Sequence, residues 1–210
     1  MSQAAVDLRQ EGTANAVRCL AQDARKWADY MLGVHCGVTL AKIKAGSLVC
    51  VPAKDLAKLC LRLGEFSRRG IEFVPLRLCK GRAGILVYVK SALQDVLFKD
   101  DVKEFLRGLG YEYSTLEEAI AALRMKIARS KDFPHEIGIF LGYPPRDVRG
   151  FMERWQVKMV GYWRVYDDEE GARELFRRYD KCAGCICKRL LQGETLCKIF
   201  NIKEKSEAIL

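Results

Sequence analysis

Residues 71–90, IEFVPLRLCKGRAGILVYVK, carry the strongest strand signal in the chain. Two apolar, β-prone runs, IEFVPLRLC and GILVYVK, are separated by the short polar segment KGRA, which is the pattern of a β-hairpin. Pro75 cannot donate a hydrogen bond to a neighbouring strand, so we expect it at a bulge or facing away from the ladder. This hairpin is the antiparallel part of the predicted sheet.

Before the hairpin, the chain alternates between helix and strand. Apolar residues spaced by three and four predict a helix from about Thr13 to Leu32, and a loop is expected at GVHCG, residues 33–37. SLVCV, residues 47–51, predicts a short strand, and a second apolar stripe predicts a helix over residues 56–66.

After the hairpin, further helices and strands are predicted. One helix is predicted near residues 102–109. A second helix is predicted to follow it and to begin at a capping box formed by Thr115 and Glu118. The later predictions are a strand at IGIFLG (137–142), a helix opened by Pro144-Pro145, a longer strand at VKMVGYWRVY (157–166) and a helix from Glu169 to about Leu191.

Strand, helix and strand follow one another twice in this order, and such units pair their strands in parallel with a right-handed crossover. Together with the antiparallel hairpin, they predict the α/β class in its mixed α+β form, with a single mixed sheet and helices packed on it. The pattern leaves open whether helices cover both faces of that sheet.

Composition limits the class of protein further. Half of the 210 residues are hydrophobic, which is enough for one globular domain over residues 1–210, with a tail from about residue 200 that could be disordered. Nine scattered cysteines and a first segment without an apolar signal region predict a reduced, cytoplasmic protein. No apolar run approaches the ~20 residues that span a bilayer, so no membrane partner is expected. These features leave the oligomeric state open.

Clustered thiols are the most conspicuous chemical feature. KCAGCICKR contains Cys182, Cys185 and Cys187, and thiolates are ligands for zinc and iron. On a straight helix Cys187 points roughly 160° away from Cys185, so the three thiols converge only if the helix breaks at Gly184. The alternative is two half-buried thiols and one exposed thiol with no ligand, and we expect Cys182 and Cys185 to stay reduced and not catalytic.

Both histidines lie at the ends of predicted elements, each beside a second possible ligand. His35 precedes Cys36, and His135 precedes Glu136. If the two predicted loops met, this set would suit iron or zinc with an open position. The alternative is that each imidazole stabilises a turn through a backbone carbonyl.

The helix that begins at Pro145 has free amide groups near Tyr143 and Arg146, which favour an anion such as phosphate or a carboxylate. Asp147, in the first turn, could equally complement that helix end by itself.

A basic excess permits a nucleic-acid partner without favouring one, because 36 basic residues stand against 27 acidic residues for a net charge of +9. On a strand, Tyr162, Arg164 and Tyr166 share one face, which would be a stacking platform if exposed and part of the core if covered. No P-loop, dinucleotide-binding glycine pattern, GxSxG or HExxH motif is present, so no motif names a reaction.

Three segments resemble the uncharacterised bacterial domain-of-unknown-function family 3793. They are HCGVTLAKIKAGSLV (35–49), FPHEIGIFLGYPPRDVRGF (133–151) and GYWRVYDDEEGARELFRRYDKC (161–182). The resemblance implies no established activity, and it implies that members typically lack counterparts of Cys185 and Cys187. It also implies which positions match the strongest part of the family pattern: His35, Cys36, His135, Glu136, Tyr143, Gly150, Trp163 and Cys182.

From these features we expect an accessory protein that binds a metal ion, iron or zinc, or a small anionic ligand. The site would lie between residues 33–37 and 133–146. The alternatives are a nucleic-acid-binding module and a protein-interaction adaptor without a site of its own, which would need a large exposed apolar patch.

Overall fold

A computed structural model describes residues 23–130 and 133–203. Its helices are α1 (Ala24–Leu40), α2 (Leu56–Gly64), α3 (Lys90–Leu97), α4 (Asp100–Gly108), α5 (Leu116–Arg129), α6 (Ile137–Phe140), α7 (Pro145–Met152), α8 (Glu169–Leu191) and α9 (Leu196–Ile199). Its strands are β1 (Gly46–Pro52), β2 (Ile71–Cys79), β3 (Arg82–Val89), β4 (Met159–Val160) and β5 (Arg164–Val165). The α+β class is confirmed.

The predicted hairpin is confirmed as β2 and β3, and the ladder between them is irregular between Pro75 and Arg77, where the missing amide of proline requires it. The sheet order is β1-β3-β2, and both outer strands pair antiparallel with β3. The expected parallel pairing is therefore wrong. The crossover from β1 through α2 does place β1 and β2 parallel to each other, but β3 lies between them and takes the hydrogen bonds of both.

Helices cover both faces of this sheet. Side chains alternate along β3, so Ile85 and Val87 enter one hydrophobic cluster while Leu86 enters the other. The first cluster joins the sheet to α1 and α2, with Ile186 of α8 and Leu196 of α9. The second joins the sheet to α3 through α7, including α5, whose predicted capping box at its first turn is confirmed.

Helix α1 extends to Leu40, so the prediction that this helix ends at Leu32 and gives way to a loop is wrong. The part predicted before residue 23 lies outside the described residues. Glycine at position 33 permits close packing here, because a Cβ atom there would lie 2.3 Å from the Cδ1 atom of Leu190 on α8. Buried Leu32, Cys36 and Leu40 extend the apolar stripe on the same helix.

Two predicted strands after residue 133 are also wrong. IGIFLG contains the single helical turn α6, which closes with hydrogen bonds from the amides of Leu141 and Tyr143 to the carbonyl of Gly138. A short apolar run does not distinguish a buried strand from a buried helical turn, which explains the error. VKMVGYWRVY contains the two-stranded hairpin β4–β5, a separate small sheet.

A third hydrophobic cluster fixes that hairpin to α8, through Trp163 and Val165 of the hairpin and Phe176 and Tyr179 of α8. Beyond α9, the Phe200 ring packs edge-on against Phe66, 5.7 Å between ring centroids, and the remainder of the expected tail, after residue 203, lies outside the described residues. Within the described part of the chain, no helix is long and apolar enough to cross a membrane.

Candidate functional site

His35 and Cys36 lie on α1 and point in different directions. His35 is exposed, whereas Cys36 is completely buried in the first hydrophobic cluster. Burial raises the pKa of the Cys36 thiol to about 12, although the nearby charge of Lys44 acts in the opposite direction. A buried neutral thiol is a poor metal ligand and a poor nucleophile, since both roles need the thiolate.

His135 and Glu136 lie in the turn before α6, and they also point in different directions. Glu136 is buried and accepts hydrogen bonds from the Tyr111 hydroxyl and the Lys126 ammonium, each 3.1 Å long. Burial, followed by the charge and hydrogen bond of Glu136, raises the pKa of Tyr111. His135 is exposed and packs edge-on against Phe151, with 4.9 Å between ring centroids.

The four predicted metal ligands therefore do not converge. Among residues 23–130 and 133–203, no group of three or more His, Cys, Asp or Glu side chains is arranged to hold a metal ion. That result includes the thiol cluster, because α8 continues through Gly184 without a break. Burial, and then the charges of Cys185 and Cys187, raise the pKa of Cys182, and no disulfide joins any of the three thiols to another described cysteine.

The same segment, FPHEIGIFLGYPPRDVRGF, instead forms the wall of a cavity of about 300 Å³. We call it the aromatic cavity: it is lined by residues from 133 to 151 together with Trp163 and Arg164 of the β4–β5 hairpin. The rings of Phe133, Tyr143, Phe151 and Trp163 are part of its lining. A volume near 300 Å³ is at the lower end of the range for small-molecule sites.

Tyr143, a predicted ligand residue, is part of this cavity. Its ring stacks on Trp163 with 4.9 Å between centroids, and the Lys44 ammonium lies 5.3 Å from the centre of the same ring. Gly138 makes this packing possible, because a Cβ atom there would lie 2.8 Å from Val148 and 3.0 Å from Tyr143. Arg146, the other predicted ligand residue, does not line the cavity and pairs instead with Asp167 at 3.1 Å.

Asp147 connects the cavity to the β4–β5 hairpin. Its buried carboxylate accepts hydrogen bonds from the indole Nε1 of Trp163 at 2.7 Å, the amide of Tyr166 at 2.7 Å and the amide of Asp167 at 3.1 Å. The carboxylate thus fixes the Trp163 wall. Its position in the first turn of a helix was visible in the sequence, but its partners are 16 to 20 residues away in the chain.

The sequence predicts a shared strand face of Tyr162, Arg164 and Tyr166. Of these residues, Arg164 lines the aromatic cavity. Tyr166 is buried, and Tyr162 is half-buried, with its hydroxyl donating to Asp180 at 3.0 Å. Arg164 is exposed, and its guanidinium carbon lies 5.7 Å from the centre of the Phe151 ring. The two tyrosines therefore belong to the packed interior of the hairpin and not to an exposed stacking platform.

Exposed apolar side chains are distributed over several elements. The most exposed large ones lie on different helices and strands: Leu61 on α2, Leu78 on β2, Met125 on α5, Val160 on β4 and Leu191 on α8. Single exposed apolar residues are ordinary on protein surfaces and need no partner to explain them.

These features define an α+β protein with helices on both faces of a three-stranded antiparallel sheet and an aromatic cavity between α6, α7 and the β4–β5 hairpin. The chain belongs to the family of proteins of unknown function DUF3793, whose family model matches residues 32–200. No curated protein and no solved structure matches the chain.

Proposed function

We propose that the protein binds a small organic acid in the aromatic cavity, with the apolar body of the ligand among the rings and its acid group at Arg164. The observation that carries the proposal is the combination of a concave apolar lining with an exposed guanidinium at its edge. Binding sites for small molecules usually have this composition, in which a few polar groups fix the orientation of an apolar ligand.

An acidic ligand is favoured over a basic one by the polar groups that line the cavity. The carboxylate of Asp147 already accepts three hydrogen bonds, so it has little capacity left for a ligand cation. Arg164 presents donors in a fork that matches a carboxylate or phosphate, and the exposed imidazole of His135 lines the same cavity.

The iron or zinc ion expected from the sequence is not part of this proposal, because the described residues contain no group of side chains arranged to hold a metal ion. The small anionic ligand is retained, with its site moved. The predicted residues 33–37 do not contribute, whereas Tyr143 and His135 do, together with Phe151, Trp163 and Arg164.

Calorimetric titration with benzoate tests the proposal, with benzyl alcohol as the neutral probe of similar shape. We expect benzoate to bind more tightly than benzyl alcohol to the wild-type protein. The variant Arg164→Gln should weaken benzoate binding roughly tenfold or more, since a hydrogen bond to a charged group contributes about 1.5–3 kcal/mol. Benzyl alcohol binding should be unchanged in that variant.

Arg146→Gln is the matched control, because Arg146 is exposed, lies nearby and does not line the cavity. It should bind benzoate as the wild type does. If neither benzoate nor the larger indole-3-carboxylate binds at about 10 mM, where even contacts of about 3 kcal/mol would be detected, the aromatic cavity is not a site for organic acids. Equal losses in the two arginine variants would show a general charge effect and would also refute the proposal.

A further inference from the structure

A second concave surface lies at the end of the β2–β3 hairpin, beside the exposed side chains of Cys50 and Cys79. Cys50 of β1 and Arg77 of β2 both lie opposite Gly84 of β3, and Cys79 lies opposite Arg82. Residues two apart on a strand share a face, so these side chains lie on the same side of the sheet. We call this space of about 590 Å³ the hairpin-end cavity.

Three cationic side chains line the hairpin-end cavity: Arg77, Lys80 and Arg82. The guanidinium of Arg82 donates from Nη2 to the carbonyl of Cys50 at 2.8 Å, which holds it across the neighbouring strand. Arginine and lysine together are the usual partners of phosphate oxygens in proteins.

The turn that carries Lys80 is unusual in its sequence. Lys80 has φ of 49° and Gly81 has φ of 72°, so both central residues of the two-residue turn are left-handed. Asparagine, aspartate and glycine are the residues that favour the first of these positions, and lysine is not among them. Strained backbone of this kind occurs preferentially at functional sites, which makes the lysine at the cavity edge notable.

Gly84 forms the floor of the hairpin-end cavity, and Phe133 forms a wall. A Cβ atom at position 84 would lie 3.3 Å from Cζ of Phe133 and 3.8 Å from Sγ of Cys50. Any larger side chain would therefore occupy the space over the sheet. Phe133 lines the aromatic cavity as well, but the two cavities have no other lining residue in common.

We propose that the hairpin-end cavity is a second ligand site, which binds a small phosphate ester. The phosphate would be held by Arg77, Lys80 and Arg82, and a flat organic group would lie over Gly84 against the ring of Phe133. A concave space with clustered cations fits a small dianion better than an extended nucleic acid, which needs a continuous basic surface.

Two exposed thiols in the cavity provide a direct readout. Cys50 and Cys79 line it and are free, while the exposed and free Cys185 lies on α8 and does not line it. Iodoacetamide labelling followed by mass spectrometry of each cysteine measures whether phenyl phosphate occupies the cavity. At a concentration about ten times its dissociation constant, measured by calorimetry, phenyl phosphate should slow labelling of Cys50 and Cys79 about tenfold and leave Cys185 unchanged.

The double variant Arg77→Gln/Arg82→Gln should weaken phenyl phosphate binding at least about a hundredfold, since two charge-assisted contacts are lost. Arg177→Gln, an exposed arginine of α8, is the matched control and should bind as the wild type does. Circular dichroism melting of each variant confirms that the fold is retained. Gly84→Val, which fills the floor and keeps all three cations, should also abolish binding.

Three results would overturn the proposal. One is labelling of Cys50 and Cys79 that phenyl phosphate does not slow. Another is equal slowing at Cys185, which would show a general effect of the anion on the protein. The third is a single-stranded DNA oligonucleotide that protects Cys50 and Cys79 at much lower concentration than phenyl phosphate, which would make the surface a nucleic-acid contact and not a small-ligand site.

Discussion

Replacing Arg62 with methionine is the change for which the structure gives the clearest energetic expectation. The guanidinium of Arg62 on α2 pairs with the carboxylate of Asp29 on α1, and only 4% and 3% of the two side chains are exposed. Nη2 of Arg62 lies 2.7 Å from Oδ2 of Asp29, and the same guanidinium also contacts Glu65. Asp29 accepts a further hydrogen bond from the amide of Leu196, at 3.1 Å, which ties the start of α9 to the two helices.

Removal of the guanidinium would leave Asp29 as a buried charge with its strongest partner gone. Burial by itself would lower the pKa of Arg62, but the hydrogen bond and charge of Asp29, with Cys197 and Glu65, raise it overall, so Arg62 remains charged. Breaking one side of a buried pair costs about 3–5 kcal/mol, whereas an exposed pair is worth less than about 1 kcal/mol. We therefore expect Arg62→Met to lower the free energy of unfolding by about 4 kcal/mol.

Urea unfolding followed by circular dichroism measures this loss. With a slope of about 2 kcal/mol per molar urea, 4 kcal/mol moves the midpoint by about 2 M. Arg177→Met is the matched control, because Arg177 forms an exposed helical pair with Glu174, and its midpoint should move by no more than about 0.5 M. The double variant Asp29→Leu/Arg62→Met should lose less than the sum of its single changes, since no buried charge remains at that position. A midpoint shift for Arg62→Met as small as that for Arg177→Met would refute the reasoning.

Two glycines on helices should respond to alanine in opposite directions. At Gly150 a Cβ atom would lie 2.6 Å from Cγ of Tyr166, so Gly150→Ala should lower stability by about 1–3 kcal/mol, whereas Gly184 has nothing within 4 Å and Gly184→Ala should raise it by about 0.5–1 kcal/mol. Urea midpoints that move in the same direction would contradict this. Burial lowers the pKa of Lys44 to about 8, so between about pH 8 and 9 the unfolded chain binds more protons at this group than the folded one. The contribution of Lys44 to stability therefore rises with pH, by at most about 1.4 kcal/mol per pH unit, whereas above about pH 9 the raised pKa of Cys36 acts in the opposite direction. Unfolding measured at about pH 7.5 and 9 should show this rise in the wild type but not in Lys44→Met, and identical slopes in the two proteins would exclude it.

Elements that are specified within a few residues could be read from the sequence. The β2–β3 hairpin follows from two apolar runs around a polar turn, and the irregularity after Pro75 follows from its missing amide. Helix α5 begins just after its capping residue Thr115, because the capping box with Glu118 satisfies free amide groups at this end of the helix. Both residues of the box lie within four positions of each other, so the start of the helix is visible in the sequence. Helix α8 likewise spans Glu169–Leu191 as its apolar stripe predicts.

Elements whose state depends on distant packing could not be read in this way. The glycines of the 33–37 segment indicated a loop, but they are helical because Leu190 and Ile186 of α8 pack directly against them. IGIFLG has the apolar character of a buried strand, but it forms a helical turn that packs closely against α7, where a Cβ atom at Gly138 would lie 2.8 Å from Val148.

In the candidate site, too, the local features could be predicted from the sequence, whereas the contacts between distant residues could not. The sequence marked residues 133–151 as an unusual segment that contains the candidate ligand residues His135 and Tyr143, since glycines, prolines and a histidine are visible locally. The contacts within the cavity depend on the packing of α7 against the β4–β5 hairpin. This packing stacks Tyr143 on Trp163, lets Asp147 hold the indole in place and brings Arg164 into the lining. Hydrogen bonds between residues 16 to 20 positions apart leave no periodic pattern in the chain, so no local signal could have predicted them.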